Sequence, residues 1–245
     1  MKQLEAYNII GPKWNGMDKV KAFTILALDK KERIVSFRGK SRETESNRRN
    51  IESIYGDVHW IKQEHKNKIS VIPNSVLEVA DGVYTKIENT ICSVTTADCL
   101  PIIFASESQS EIGITHTGWR GLTTNILSKM INQFDSAPET ILVWIGPGIG
   151  QNSYEVGAEV KAELVAINES YESAFCESEN NKYYLDLYKI AKAQLLKEGI
   201  REENTSGAKW NTFSNNFFHS ARRDKKESGR MLTMVCIENP AYNIV

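Results

Sequence analysis

The chain of 245 residues is long enough to bury a sizeable core, and 41% hydrophobic with 25% charged residues is ordinary globular composition. With 30 basic against 31 acidic residues, a formal charge of -1 offers no field that would draw nucleic acid or an anionic membrane surface. Nowhere do about 18 apolar residues run together, and MKQLEAYNIIGPKWNGMDKVK holds no signal-like apolar run, so a soluble protein is expected. Cys92, Cys99, Cys176 and Cys236 are too widely spaced for a disulfide framework and read as reduced thiols of a cytoplasmic protein.

In chain order, residues 22–39 alternate the apolar runs FTILAL and RIVSF with a charged connection, DKKER, which is the pattern of a β-hairpin. Residues 41–55 follow as a helix whose exposed face is basic, with Arg48 and Arg49 ahead of IESIY. Residues 57–72 predict two short strands around a polar bend that carries His65, with His59 in the first strand. The turn signals ADG and EN precede a strand, ICSVTT. Further on, ILVWIG reads as a strand running into GPGIG, a loop that lacks the Gly-Lys-Ser/Thr of a P-loop. Tyr154 and Glu155 lead into a helix containing VKAELVAI, Asp186 caps another helix ending at Gly199, and MLTMVCI forms the last strand. No repeat or linker interrupts this series. The expectation is one α/β domain over 1–245, built on a mixed, largely antiparallel sheet with flanking helices.

The chemistry concentrates between residues 95 and 122, TTADCLPIIFASESQSEIGITHTGWRGL. LPIIFA and EIGIT have strand composition and SESQSE reverses the chain, so Cys99 and His116 meet at the same end of two antiparallel strands. A thiol beside an imidazole serves either as a pair of metal ligands or as nucleophile and base. Beyond His116, TGWRG turns into an amphipathic helix over 123–134, and the peptide N–H groups of that turn, with Arg120, suit an anion such as phosphate. Arg38 and Arg48 are further candidates to face an anionic substrate. Asp81 and Asp98 are the carboxylates placed to orient a histidine or pass a proton.

Taken together and in order, KQEH, ADGVYT, TADCLPIIF, THTGWRGL, IGPGIGQNSYEVG, LDL and FFHSARRD through SGR resemble the laccase-domain family. That family was once labelled multicopper polyphenol oxidases and is associated with purine nucleoside cleavage. The resemblance implies that His65, Cys99 and His116 bind one zinc ion, whose fourth position stays open as in catalytic zinc sites. It implies phosphorolysis of adenosine and inosine to ribose 1-phosphate and free base, with adenosine deamination and methylthioadenosine cleavage as further activities. Cys99, His116 and Asp98 are then the catalytic candidates, and Arg38, Arg48 and Arg120 hold substrate or phosphate. Four histidines cannot hold several copper ions, although copper can enter the single site in vitro. Gly148 and Asn211 stand where many relatives carry cysteine, so neither thiol is essential if the activity is kept.

Two rival readings remain open. In one, Cys99 is the nucleophile and His116 its base in a metal-free amide hydrolase acting on peptidoglycan precursors, in line with the family's similarity to the cytotoxic-necrotizing-factor-like cysteine hydrolase fold. In the other, zinc clamps three segments of a non-catalytic regulatory protein, although structural zinc normally takes four protein ligands.

Overall fold

The computed structural model describes residues 6–39 and 41–239. Within them the chain forms β1 (Tyr7–Ile10), β2 (Val20–Asp29), α1 (Arg42–Tyr55), β3 (Val58–His59), β4 (Ile69–Ile72), β5 (Gly82–Thr85), β6 (Ile91–Thr96), β7 (Leu100–Ser106) and β8 (Ile112–Thr117). There follow α2 (Trp119–Thr123), α3 (Ile126–Ile131), β9 (Ile141–Ile145), β10 (Glu155–Gly157), α4 (Ala158–Ile167), β11 (Phe175–Glu177) and β12 (Lys182–Leu185). The last elements are α5 (Leu187–Lys197), β13 (Thr205–Gly207), α6 (Ala221–Asp224) and β14 (Met231–Ile237).

The strands sort into two large sheets and a small one, where the sequence reading expected a single mixed sheet. One sheet has the order β1-β2-β14-β6-β3 and is antiparallel except for the short β3–β6 pair. The other runs β13-β9-β7-β8-β5-β4, antiparallel in the middle with a parallel pair at each edge. Strands β10, β12 and β11 make the small antiparallel sheet.

Alternation along β7 explains the layering. Leu100, Ile102 and Phe104 pack with Leu122, Leu127, Leu164 and Ile190 of the helices, whereas Ile103 and Ala105 face Cys92, Val94 and Val235 of the other sheet. The far side of the five-stranded sheet, with Ile25, Leu232 and Met234, is covered by Phe37 and by Ile51 of α1. The six-stranded sheet is therefore buried on both faces, which is why LPIIFAS is apolar almost without interruption.

Two local expectations are corrected. After β2 the chain turns back in a short reversal, with Asp29 N–H donating to Arg33 O and Val35 N–H to Ala27 O around an isolated Leu28–Ile34 bridge, but it forms no second strand there, and the strand neighbours of β2 are β1 and, from the far end of the chain, β14. The helix expected over 123–134 is broken in two, because Asn125 takes φ 59° and ψ 42° between α2 and α3, where Thr124 Oγ1 donates back to Arg120 O at 2.8 Å. The helical start lies earlier, at Trp119, so Arg120 sits on α2 and not in a turn.

Two connections cross from the five-stranded sheet to the six-stranded one, β3 to β4 and β6 to β7, and β5 to β6 and β13 to β14 return. The first carries His65 and the second Cys99. No helix among the described residues is long and apolar enough to cross a membrane.

Phe104 is fully buried on the helix side of β7, with its ring 6.5 Å from that of Phe134. Phe104→Ala is expected to lower the unfolding free energy by about 3–5 kcal/mol. Urea titration should show an earlier midpoint with an unchanged slope; a loss below about 1 kcal/mol would contradict this packing.

Candidate metal centre

The β7–β8 ladder pairs Pro101 with His116 and Leu100 with Thr117, which brings Cys99 level with Gly118. A Cβ added at Gly118 would stand 2.8 Å from Cys99 Sγ, so the glycine leaves room for the sulfur. His65 reaches the same place from its crossover, and its ring meets that of His116 edge-on, with centroids 4.6 Å apart and an interplanar angle of 79°. One donor atom from each of His65, Cys99 and His116 lies within 4.8 Å of the other two.

That donor set fits zinc. Bonds of about 2.0–2.3 Å in tetrahedral geometry separate the donors by about 3.3–3.8 Å, so a small inward shift closes the three around the ion. A thiolate with two imidazoles leaves one position open, and His65 is exposed, Cys99 partly exposed and His116 buried, so the opening faces solvent. A multicopper cluster does not fit. His59 Nε2 is hydrogen-bonded to Ser70 Oγ at 3.1 Å and His219 Nε2 donates to Val35 O at 2.7 Å, so neither of the remaining histidines joins the three.

Asp81 holds the two imidazole ligands in place. Its Oδ1 accepts from the His65 peptide N–H at 2.9 Å and from His116 Nδ1 at 2.8 Å; its Oδ2 accepts from the N–H groups of Lys66 at 2.8 Å and Glu64 at 3.2 Å. Wrapping these N–H groups around one carboxylate puts His65 in the left-handed region, φ 60°. Because Nδ1 of His116 donates to Asp81, its Nε2 is the nitrogen left for Cys99 and a metal. Burial would raise the Asp81 carboxyl, yet the bonds from His116 and from the Lys66 and Glu64 peptides hold it below the ordinary carboxylate range.

Burial would likewise raise the Cys99 thiol. The His116 charge and hydrogen bonds from His116 and His65 override that and bring it down to about 6. Burial pushes His116 down, but Cys99 and the Asp81 hydrogen bond prevail and lift it to about 9. Without a metal, Cys99 and His116 therefore form a thiolate–imidazolium pair near neutral pH.

The three donors sit in the wall of a cavity of about 280 Å³, whose lining includes Arg38, Arg120, Arg222, Arg230, Trp119 and Tyr154. Of the residues expected from the sequence, His65, Asp98, Cys99, His116, Arg38 and Arg120 all line it. Arg48 does not. Its Nε donates to Phe37 O at 2.8 Å, its guanidinium lies 4.5 Å from the Trp60 ring centroid, and it lines a neighbouring cavity of about 380 Å³. Asp98 is buried next to Cys99 with φ 88°, and both of its carboxylate oxygens are engaged, by Thr212 Oγ1 at 2.6 Å and by the Arg222 peptide N–H at 2.7 Å. Arg222, Arg230, Trp119 and Tyr154 were not assigned to the site from the sequence. Their signal lay in SARRD, SGR, TGWRG and NSYE, with Trp119, Tyr154 and Arg230 each next to a glycine or serine and Arg222 two residues after one.

The model of the family described as multi-copper polyphenol oxidoreductase laccase matches residues 35–238. The chain belongs to this laccase family. Among its curated relatives, the purine nucleoside phosphorylase YfiH of Shigella flexneri is 35% identical over 178 residues, covering 72% of each chain. The purine nucleoside phosphorylase of Haemophilus influenzae is 37% identical over 183 residues, covering 73% of this chain and 74% of that one. Among solved structures, the hypothetical protein YfiH of Bacillus licheniformis gives a TM-score of 0.85 at 23% identity, covering 96% of this chain and 98% of that one. A Neisseria meningitidis protein gives 0.84 at 24% identity, covering 95% and 100%. These two show the fold that the laccase family shares with this chain.

In metal-stripped protein, alkylation of Cys99 by iodoacetamide should be half-maximal near pH 6 and lost below it, because a depressed thiol is thiolate above its pKa and protonated beneath. Peptide mass spectrometry should show Cys236, pushed by burial up to about 11, unreactive over the same range, and added zinc should protect Cys99. A Cys99 profile rising only above about pH 8 would refute the pairing with His116. Asp81→Asn is expected to weaken zinc binding by about 10–100-fold in competition with a coloured chelator.

Proposed function

We propose that this chain is a zinc-dependent purine nucleoside phosphorylase acting on adenosine and inosine in the cytoplasm. The observation that carries the reading is the convergence of His65, Cys99 and His116 on the wall of a cavity that Arg38, Arg120, Arg222 and Arg230 also line. The printed names of the curated relatives supply the reaction class.

His65, Cys99 and His116 would hold the zinc, which supplies Lewis acidity at the cavity wall when bound. In phosphorolysis a phosphate oxygen forms the new bond to the anomeric carbon as the bond from that carbon to the purine nitrogen breaks. Arginines of the cavity wall, Arg38 and Arg230 among them, hold the phosphate against that carbon and offset its charge. Trp119 and Tyr154 offer aromatic surface to a planar base. Asp81, saturated by His116 and the peptides of residues 64–66, orients ligands and does not pass protons. Asp98 accepts one hydrogen bond at each oxygen where Asp81 accepts four in all, so it keeps lone pairs for the proton transfers of adenosine deamination, which together with methylthioadenosine cleavage extends the same reading.

One observation favours a second reading. His116 bonds Asp81 through Nδ1 and faces Cys99 with its other nitrogen, the arrangement of orienter, base and nucleophile. On that reading the chain is a metal-free amide hydrolase, related in fold to cytotoxic-necrotizing-factor-like enzymes and acting on peptidoglycan precursors.

Zinc-loaded protein given adenosine and phosphate is expected to release adenine and ribose 1-phosphate, with inosine where deamination occurs. If chromatography finds neither adenine nor inosine, the phosphorylase reading fails. Cys99→Ala should remain folded and lose turnover; loss of the fold would instead identify a structural clamp. Activity that survives complete zinc removal, with a covalent acyl-enzyme on Cys99, would establish the hydrolase.

A further inference from the structure

The four arginines of the cavity divide into two kinds. The Arg120 guanidinium lies 4.3 Å from the Trp119 ring centroid, and that of Arg222 lies 5.1 Å from the Tyr154 centroid while its Nη1 donates to Glu155 O at 2.7 Å. Both guanidinium groups lie over aromatic rings that themselves line the cavity.

Arg38 and Arg230 are held differently. The Phe37 N–H donates to Arg230 O at 3.1 Å and the Arg230 N–H donates to Ser36 Oγ at 3.1 Å, so SFRG and SGR run side by side and deliver both side chains to the same cavity. Arg48 braces this pairing by bonding Phe37 O from α1. Arg230 is partly buried, with Nη1 spent on the carbonyls of Ser228 at 2.8 Å and Gly229 at 2.6 Å. Among the described residues no carboxylate oxygen lies within 4.0 Å of either guanidinium. Burial and the neighbouring charge of Arg38 both depress the Arg230 guanidinium below its ordinary value, which Cys99 and Asp98 offset in part. Two like charges in a partly desolvated wall are favourable when an anion sits between them.

We propose that Arg38 and Arg230 form a subsite for a tetrahedral oxyanion of the phosphate class, while the Trp119–Arg120 and Tyr154–Arg222 pairs take the planar part of the substrate. With Nη1 of Arg230 engaged, its remaining N–H groups and the fork of Arg38 together match the oxygens of a phosphate. The subsite lies beside Cys99, so the oxyanion is either free phosphate poised as a co-substrate or the ester group of a phosphorylated nucleoside. The inference rests on the nucleoside reading for the identity of the planar part and stands apart from it for the anion.

Titration calorimetry on the full zinc-loaded chain tests it, with inorganic phosphate, adenosine and adenosine 5′-monophosphate as separate probes. Arg230→Gln and Arg38→Gln should each lower the ratio of phosphate to adenosine affinity at least tenfold, and Arg120→Gln should raise it. Arg230→Lys, which keeps the charge but not the fork, should recover part of the ratio and serves as the control for a folding defect, together with the thermal melt of each variant. If wild-type protein takes no phosphate, or if Arg230→Gln leaves the ratio unchanged, the subsite does not exist. Monophosphate binding at least tenfold tighter than both adenosine and phosphate assigns the subsite to an ester; comparable affinities assign it to free phosphate. Phosphate binding without any turnover would sink phosphorolysis alone, whereas phosphorolysis whose KM for phosphate ignores Arg230→Gln would sink the subsite alone.

Discussion

One buried carboxylate organises the site. Asp81 is 1% exposed, and a carboxylate so enclosed is tolerable only when its oxygens are fully hydrogen-bonded. Three consecutive peptide N–H groups and one imidazole satisfy it, so the bend that carries His65 and the strand that carries His116 are fastened to a single anion. The Asp81 backbone closes the same unit, since its carbonyl accepts from the His116 N–H at 2.7 Å and its own N–H donates to Lys68 O at 2.9 Å. The His116 imidazole and the His65 backbone are thus positioned by one carboxylate, and the left-handed backbone of His65 is sustained by the surrounding hydrogen bonds.

The third donor depends on the double-sheet architecture. Strand β6 lies in one large sheet and β7 in the other, so the link that contains Asp98 and Cys99 must step across at the rim of both. Asp98 secures that step: its carbonyl accepts from the Ile149 N–H at 2.9 Å, and its carboxylate joins Thr212 and the start of α6. Cys99 is held level with Gly118 by the β7–β8 ladder below it and by this strut above. Around these donors the cavity gathers four arginines although the chain as a whole is nearly neutral. Net charge therefore excludes an extended polyanion as partner without limiting what a small recessed site attracts.

Several elements of this arrangement were legible in the residues. The strands of ICSVTT, LPIIFA, EIGIT and ILVWIG, the helix over 41–55 and the Asp186 cap all rest on short-range periodicity and hydrogen-bonding chemistry, and the structure contains them. The meeting of Cys99 with His116 followed from a short reversal between two apolar strands, which has few alternatives. What misled the reading was long-range or locally ambiguous. RIVSF looked like the mate of the first long strand, yet it meets only the end of β2 around Leu28, and β14 pairs along Val20–Ile25. Asn125 broke an apolar stripe that was periodic on both sides of it, and Arg48, placed by charge near an anion, is turned to a backbone carbonyl and an indole ring.

The sequence by itself determined the main buried strands and the helices at 41–55, 158–167 and 187–197, which residue types are able to bind zinc, and that Cys99 and His116 adjoin. These properties arise from neighbours in the chain, where side-chain period and turn chemistry act directly. The family resemblance already named His65 as the third donor, but only the tertiary structure carried it to the other two, made Asp81 fasten the segments of two ligands at once, and set Arg230 beside Arg38. Each of those outcomes joins segments distant in the chain, and such contacts are selected by how two sheets pack and cross over, a choice that local pattern does not encode.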